Sequence, residues 1–152
     1  MFLRVDSTTI DDAAMVHSIT WQESHRAFCS PEFIAEHTPE HQRNYLLEKM
    51  NGGSAVWLLA EPDPVGIVSV TANLIEDLYV LPDRQNMGYG TRLLRFALEK
   101  CTGRPTLWIL ENNTGAERLY RRLGFQPTGK RNRIAKKLDE IEFVLQDGNP
   151  MD

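Results

Sequence analysis

The stretch LYVLPDRQNMGYGTRLLRFALEKC, residues 78–101, runs from an apolar segment through Pro82 and two close glycines into a helical pattern. No other part of the chain constrains the fold as tightly. Leu93, Leu94, Ala97, Leu98 and Cys101 recur at helical spacing, with Arg92, Arg95, Glu99 and Lys100 on the opposite side. A strand that passes through such a loop into a helix leaves the helix's first N–H groups facing the loop, where they attract anions. Gly88 and Gly90 remove Cβ atoms at that point and tolerate positive φ. A G-x-G by itself is more often turn geometry than a phosphate site. Leu93 occupies the third glycine position of a dinucleotide fingerprint and no GKT or GKS follows, which disfavours dinucleotide and P-loop sites.

Around this loop the chain reads as alternating elements. FLRV is a first strand, and STTIDD supplies hydroxyl caps and first-turn acids for a helix through AAMVHSITWQESHRAF. PEFIAEHTPEHQRNYLLEKMNGG is a second helical region, interrupted near Pro39 and closed by Gly52 and Gly53. SAVWLLAE, VGIVSVTA and LIEDLYVL read as consecutive antiparallel strands. After the glycine loop and its helix come a strand in PTLWIL and a helix with the stripe Ala116, Leu119, Tyr120 and Leu123, ending at Gly124. FQPTGK and DEIEFVLQ close the sheet. The resulting order is β-α-α-β-β-β-α-β-α-β-β, an α/β (α+β) arrangement.

A length of 152 residues suits a single domain, expected over 1–146, with DGNPMD at 147–152 as a short frayed tail. No apolar run approaches the roughly 20 residues of a membrane span, and MFLRVDSTT lacks a signal peptide's apolar core. With only Cys29 and Cys101, both expected as buried thiols, a cytoplasmic location follows and no membrane role is expected. The net charge of -4 argues against a nucleic-acid partner, and the basic run KRNRIAKK reads as a solvated loop. His37 and His41 flank Pro39 without the glutamate of a zinc helix, so no metal is expected; His17 and His25 read as ordinary helix residues.

Two spaced motifs narrow the reading. Gln85, Gly88 and Gly90 form Q-x-x-G-x-G, and NTGAERLYRRLGF fits N-x-x-A-x-x-L-Y-x-x-x-G-F through Asn113, Ala116, Leu119, Tyr120, Gly124 and Phe125. Together with the element order they resemble the GCN5-related N-acetyltransferase (GNAT) superfamily. The resemblance implies a mixed, mostly antiparallel central sheet flanked by helices, with acetyl-CoA (coenzyme A) as acetyl donor. It implies that the loop Gln85, Asn86, Met87, Gly88, Tyr89, Gly90 and Thr91 holds the coenzyme pyrophosphate through backbone N–H groups. Asn86 stands where many relatives carry glycine, and Asn is the non-glycine residue that best accepts positive φ. By the same resemblance Leu78, Tyr79 and Val80 pair with the pantetheine arm, and a backbone N–H near Tyr79 or Val80 polarises the thioester carbonyl. Asn113 contacts the pantetheine region, a role compatible with capping the following helix.

The catalytic residues expected from the resemblance are Tyr120 and Glu76. A phenol stays protonated at neutral pH and can protonate a departing thiolate. Periodicity alone would place Tyr120 in the core. An attacking amine must lose a proton, and relatives hold a base either six or four residues before the position of Val80. The first is Leu74 here, which cannot serve; the second is Glu76, which alternates with Leu74, Leu78 and Val80 on one strand face and leaves Asp77 on the other. The variable first helices are expected to wall the acceptor, with Trp21, Glu23, Glu32, Phe33 and Glu36 as wall residues. A small-molecule primary amine is the expected acceptor. A protein or peptide N-acetyltransferase and a catalytically silent coenzyme A sensor remain as alternatives, and a homodimer is compatible with all three.

Overall fold

The computed structural model describes residues 1–146, so the DGNPMD tail lies outside the described residues. The chain forms two compact units, one of residues 1–71 with 77–100, the other of 72–76 with the segment from 101 onward. The first contains β1 (Phe2–Arg4), α1 (Ile10–His25), α2 (Pro31–Ala35), α3 (Pro39–Asn51), β2 (Ala55–Ala60), β3 (Pro64–Thr71), most of β4 (Leu74–Val80), a 3-10 turn at Pro82–Arg84, and α4 (Tyr89–Lys100). The second contains the start of β4, β5 (Thr106–Leu110), α5 (Thr114–Arg122), β6 (Phe125–Ala135) and β7 (Leu138–Leu145). The strands follow the order β1-β2-β3-β4-β5-β7-β6 in one mixed, mostly antiparallel sheet, as expected. Its parallel step joins Leu74 to Thr106 and Ile75 to Leu107 between β4 and β5.

Local chemistry accounts for the helix boundaries. Ser30 and Thr38 accept from the N–H groups of Phe33 and His41, at 3.2 and 3.1 Å, so each caps a helix that starts on a proline. The second helical region is therefore two separate helices rather than one interrupted helix, because Pro39 begins a new helix with its own cap. At α1 the expected forward hydroxyl cap is absent. The Thr9 hydroxyl accepts from the Asp6 N–H at 2.9 Å, and the Ile10 N–H bonds the Asp6 carbonyl at 2.9 Å. Gly53, at φ +105°, reverses the chain after α3.

In the first unit Ile10, Ala13, Ala14 and Val16 of α1 pack with Leu46 of α3 and with Val56, Leu58 and Ile67 of the β2–β3 pair. Gly66 permits a close approach: a Cβ there would lie 2.6 Å from the Tyr79 carbonyl oxygen and 2.7 Å from a Leu93 methyl. Only a glycine lets β3 pass the end of β4 beneath α4 at this spacing. In the second unit Phe125 and Phe143 are fully buried, each contributing roughly 1.5–3 kcal/mol relative to exposure.

The basic residues of KRNRIAKK are exposed, as expected, but most of the run is strand rather than loop. Residues 130–135 belong to β6, paired antiparallel with β7 through Arg131–Ile141, Asn132–Glu140 and Arg133–Asp139. Asp139 accepts from Arg131 Nε at 3.0 Å and from Arg133 Nε at 2.5 Å, and Arg131 also pairs with Glu111. Acids on the neighbouring elements thus neutralise the run and let it extend. Cys29 and Cys101 are half-buried rather than buried, and burial pushes the Cys101 thiol up to about 11. Among the described residues no helix is long and apolar enough to cross a membrane.

Candidate active site

The glycine loop has the conformation that its residue types allow. Asn86 takes φ +63° and Gly88 φ +88°, so two left-handed residues turn the chain between the 3-10 turn and α4. Gly90 instead lies in the first turn of α4, where its φ is helical. Its use is the absent side chain rather than conformational freedom. The Arg92 N–H bonds the Gly88 carbonyl at 3.1 Å, and nothing lies within 4 Å of where a Gly88 Cβ would stand. The entrance of α4 is open at that point, with the positive end of the helix dipole behind it. Gln85 donates from Nε2 to the Val80 carbonyl at 3.1 Å and ties the loop to the end of β4. Arg92 does not face an anion site: both its terminal nitrogens donate to Glu61 at 2.6 Å, which with the N-terminal amine holds the Glu61 carboxyl at about 2.

Strand β4 departs from simple alternation. Asp77 has φ +52°, in the left-handed region, so the pleat that would put Leu74, Glu76, Leu78 and Val80 on one face does not run through it. Four donors surround its carboxylate. Oδ1 accepts from His17 Nε2 and Tyr45 Oη at 3.1 Å each, and Oδ2 accepts from Lys49 Nζ at 2.8 Å and Ser69 Oγ at 2.9 Å. The Asp77 side chain is only 8% exposed. Burial alone would raise its carboxyl, but the His17 hydrogen bond and the Lys49 charge hold it well below the usual carboxylate range. Glu76, next to it, is exposed.

In the second unit, Asn113 caps α5 by accepting from the Ala116 N–H at 3.1 Å, an arrangement typically worth about 1 kcal/mol. Tyr120 lies on the buried side of α5 at 7% exposure, its ring 6.0 Å from that of Phe125. Burial pushes its phenol up to about 12, so it keeps its proton across the physiological range.

The expected wall residues diverge. Trp21 stacks between the rings of His25 and His37, at 3.9 and 3.5 Å, with Phe33 edge-on at 5.8 Å. Glu23 of α1 pairs at 2.7 Å with Arg26, the residue just past that helix, while Glu32, Phe33 and Glu36 are exposed. Among the described residues no group of three or more His, Cys, Asp or Glu is placed to hold a metal ion.

A sequence model described as the Acetyltransferase (GNAT) family matches residues 15–125, which span both motifs and β2 through α5. The chain belongs to this family. Among GNAT relatives, the peptidyl-lysine N-acetyltransferase YjaB of Salmonella typhimurium is 33% identical over 70 residues, covering 46% of this chain. The match spans about half, 48%, of that relative's length. Two solved structures share the fold. The PaiA N-acetyltransferase of Thermoplasma acidophilum, in complex with coenzyme A, has a TM-score of 0.71 at 15% identity, covering 96% of this chain and 98% of that one. The spermidine N-acetyltransferase SpeG of Vibrio cholerae has a TM-score of 0.68 at 15% identity, covering 95% and 94%.

Sequence reasoning missed three residues of this GNAT chain: His17, Asp77 and Gly66. His17 is no ordinary helix residue, since it is 2% exposed and directed at a buried carboxylate. Its position three and four residues after Ala14 and Ala13, on the buried side of α1, was the available signal. Nothing in the local sequence announces the left-handed turn at Asp77.

Proposed function

We propose that residues 1–146 act as one cytoplasmic, acetyl-CoA-dependent N-acetyltransferase domain that transfers an acetyl group to a primary amine of a small molecule. The observation that carries this reading is the loop from Gln85 to Thr91, where left-handed Asn86 and Gly88 lead into α4 beside open space at Gly88. That opening fits a diphosphate, because a pyrophosphate can approach the backbone N–H groups without meeting a side chain.

In this reading the N–H groups of Met87, Gly88, Tyr89, Gly90 and Thr91 hold the pyrophosphate, and Leu78, Tyr79 and Val80 pair with the pantetheine arm. Asn113 serves that arm while capping α5. Bound acetyl-CoA supplies an acetyl group activated as a thioester. A backbone N–H near Tyr79 or Val80 stabilises the negative charge that develops on the carbonyl oxygen as the amine attacks. Tyr120 holds the proton that the leaving thiolate takes up, and Glu76 accepts the proton that the amine gives up. The exposure of Glu76 suits a base that exchanges its proton with solvent.

A second reading, transfer to a lysine of a peptide or protein, is favoured by the name of the Salmonella relative. Thiol release from acetyl-CoA, measured across polyamines, aminoglycosides, amino acids and lysine peptides, separates the two. Release with a small amine, with N-acetylated product seen by mass spectrometry, supports the first reading, and release confined to peptides supports the second. No release with any acceptor, despite retained coenzyme binding, would sink both in favour of a silent sensor.

A further inference from the structure

We propose that Asp77 is a positioning residue for the coenzyme strand: donors from three elements hold its backbone in the left-handed turn and so aim Leu78, Tyr79 and Val80. This rests on the reading of those three residues as the pantetheine strand.

A non-glycine residue with φ near +52° in a strand is strained unless its surroundings hold it there. Here they do. His17 comes from α1, Tyr45 and Lys49 from α3, and Ser69 from β3, and all four donate to one carboxylate. The donors are themselves held. Gln42 Nε2 donates to His17 Nδ1 at 2.6 Å, which leaves the proton of a neutral His17 on Nε2, facing Asp77. His41 Nδ1 in turn donates to Gln42 Oε1 at 2.6 Å, and Lys49 Nζ also donates to Tyr45 Oη at 3.2 Å.

The consequence falls on the next residues. The left-handed turn resets the side-chain alternation just before Leu78, and the His17 ring meets the Tyr79 ring edge-on at 5.0 Å. From β3, Gly66 lets the Tyr79 carbonyl come so close that a single methyl group would collide with it. The segment from Asp77 to Val80 is therefore gripped by its side chain at one end and by backbone contact at the other. A carboxylate accepts all four hydrogen bonds at once, which no other side chain of similar size can do. A merely stabilising buried ion pair would need only Lys49.

The test uses the full chain with Asp77→Asn, which keeps the size and tolerates positive φ but cannot satisfy the same donors. Amide hydrogen exchange without coenzyme should speed up about tenfold at Leu78, Tyr79 and Val80 while Leu107 and Phe143 stay protected. The dissociation constant for acetyl-CoA should rise about tenfold, with the KM for the amine unchanged. Adding Lys49→Met removes the unpaired charge and should restore the melting temperature but not the coenzyme affinity. Ser69→Ala, a milder change, should move exchange and affinity in the same direction by about threefold. Unchanged exchange at Leu78–Val80, or coenzyme affinity that returns together with the melting temperature, would overturn the proposal. Wild-type protein that binds no acetyl-CoA overturns the coenzyme reading instead, and the exchange measurement still decides whether Asp77 holds the strand.

Discussion

His17 Nε2 donates to Asp77 Oδ1 at 3.1 Å across sixty positions of sequence, and both side chains are almost completely buried. The pair joins the first long helix to the strand that leads into the glycine loop, and Lys49 supplies the positive charge that lets the carboxylate remain ionised there. Its pH signature has a definite sign. The folded-state pKa of Asp77 is depressed, so its contribution to stability is fully present above the unfolded value near 3.9 and is lost as pH falls toward the folded value. Chemical denaturation of the wild type and Asp77→Asn should show the largest stability gap above about pH 5, narrowing below about pH 4. A gap that stays constant down to pH 3 would contradict it.

Replacing Tyr120 by Phe should lower kcat by about 10² to 10⁴ with little change in coenzyme affinity, as expected for loss of a general acid. Because burial raises the phenol to about 12, the proton is retained up to that pH, and no alkaline limb of kcat below about pH 10 should disappear in the variant. Steady-state kinetics across pH reads both effects. Unchanged turnover removes Tyr120 from the mechanism.

Gly88→Asp should abolish acetyl-CoA binding in calorimetry, since it places a carboxylate where the pyrophosphate is proposed to sit. Gly88→Ala separates charge from conformation. Space for the methyl group is open, so only the φ of +88° opposes it, at about 1–2 kcal/mol. Retained affinity in the aspartate variant would remove the loop from the coenzyme site.

At Gly66 the obstacle is steric. The Leu93 methyl can turn away from an added Cβ, but the Tyr79 carbonyl belongs to the backbone and cannot, so Gly66→Ala should destabilise by about 1–3 kcal/mol. Acetyl-CoA affinity should fall as well, because the displaced group lies on the proposed pantetheine strand. Urea denaturation together with calorimetry checks both, and a variant as stable as wild type would show that β3 moves freely at this point.

Glu76→Gln should reduce turnover most at neutral pH, where a lysine-like amine with pKa near 10 must be deprotonated, and progressively less as pH approaches that value. A deficit that is the same at pH 7 and pH 10 would assign Glu76 to something other than proton removal.

Features that depend on neighbours along the chain were legible in the amino-acid order. The left-handed Asn86 and Gly88, the Asn113 cap, the restart at Pro31, the break near Pro39 and the buried stripe of α4 all follow from residue type and spacing within a turn or two. The two paired motifs, read together, also placed the chain in its family. Tertiary structure decided whatever needed a distant partner. Residues 130–135 form an exposed strand paired with β7, where Asp139 and Glu111 meet Arg131 and Arg133, although the run itself reads as a loop. Glu76 and Asp77 are adjacent carboxylates of similar chemistry, yet one is exposed and the other buried in the left-handed region. Alternation puts the two on opposite faces, but only packing supplies the left-handed turn and its donors, because those come from α1, α3 and β3, and hydrogen bonds between such elements leave no periodic trace in the sequence.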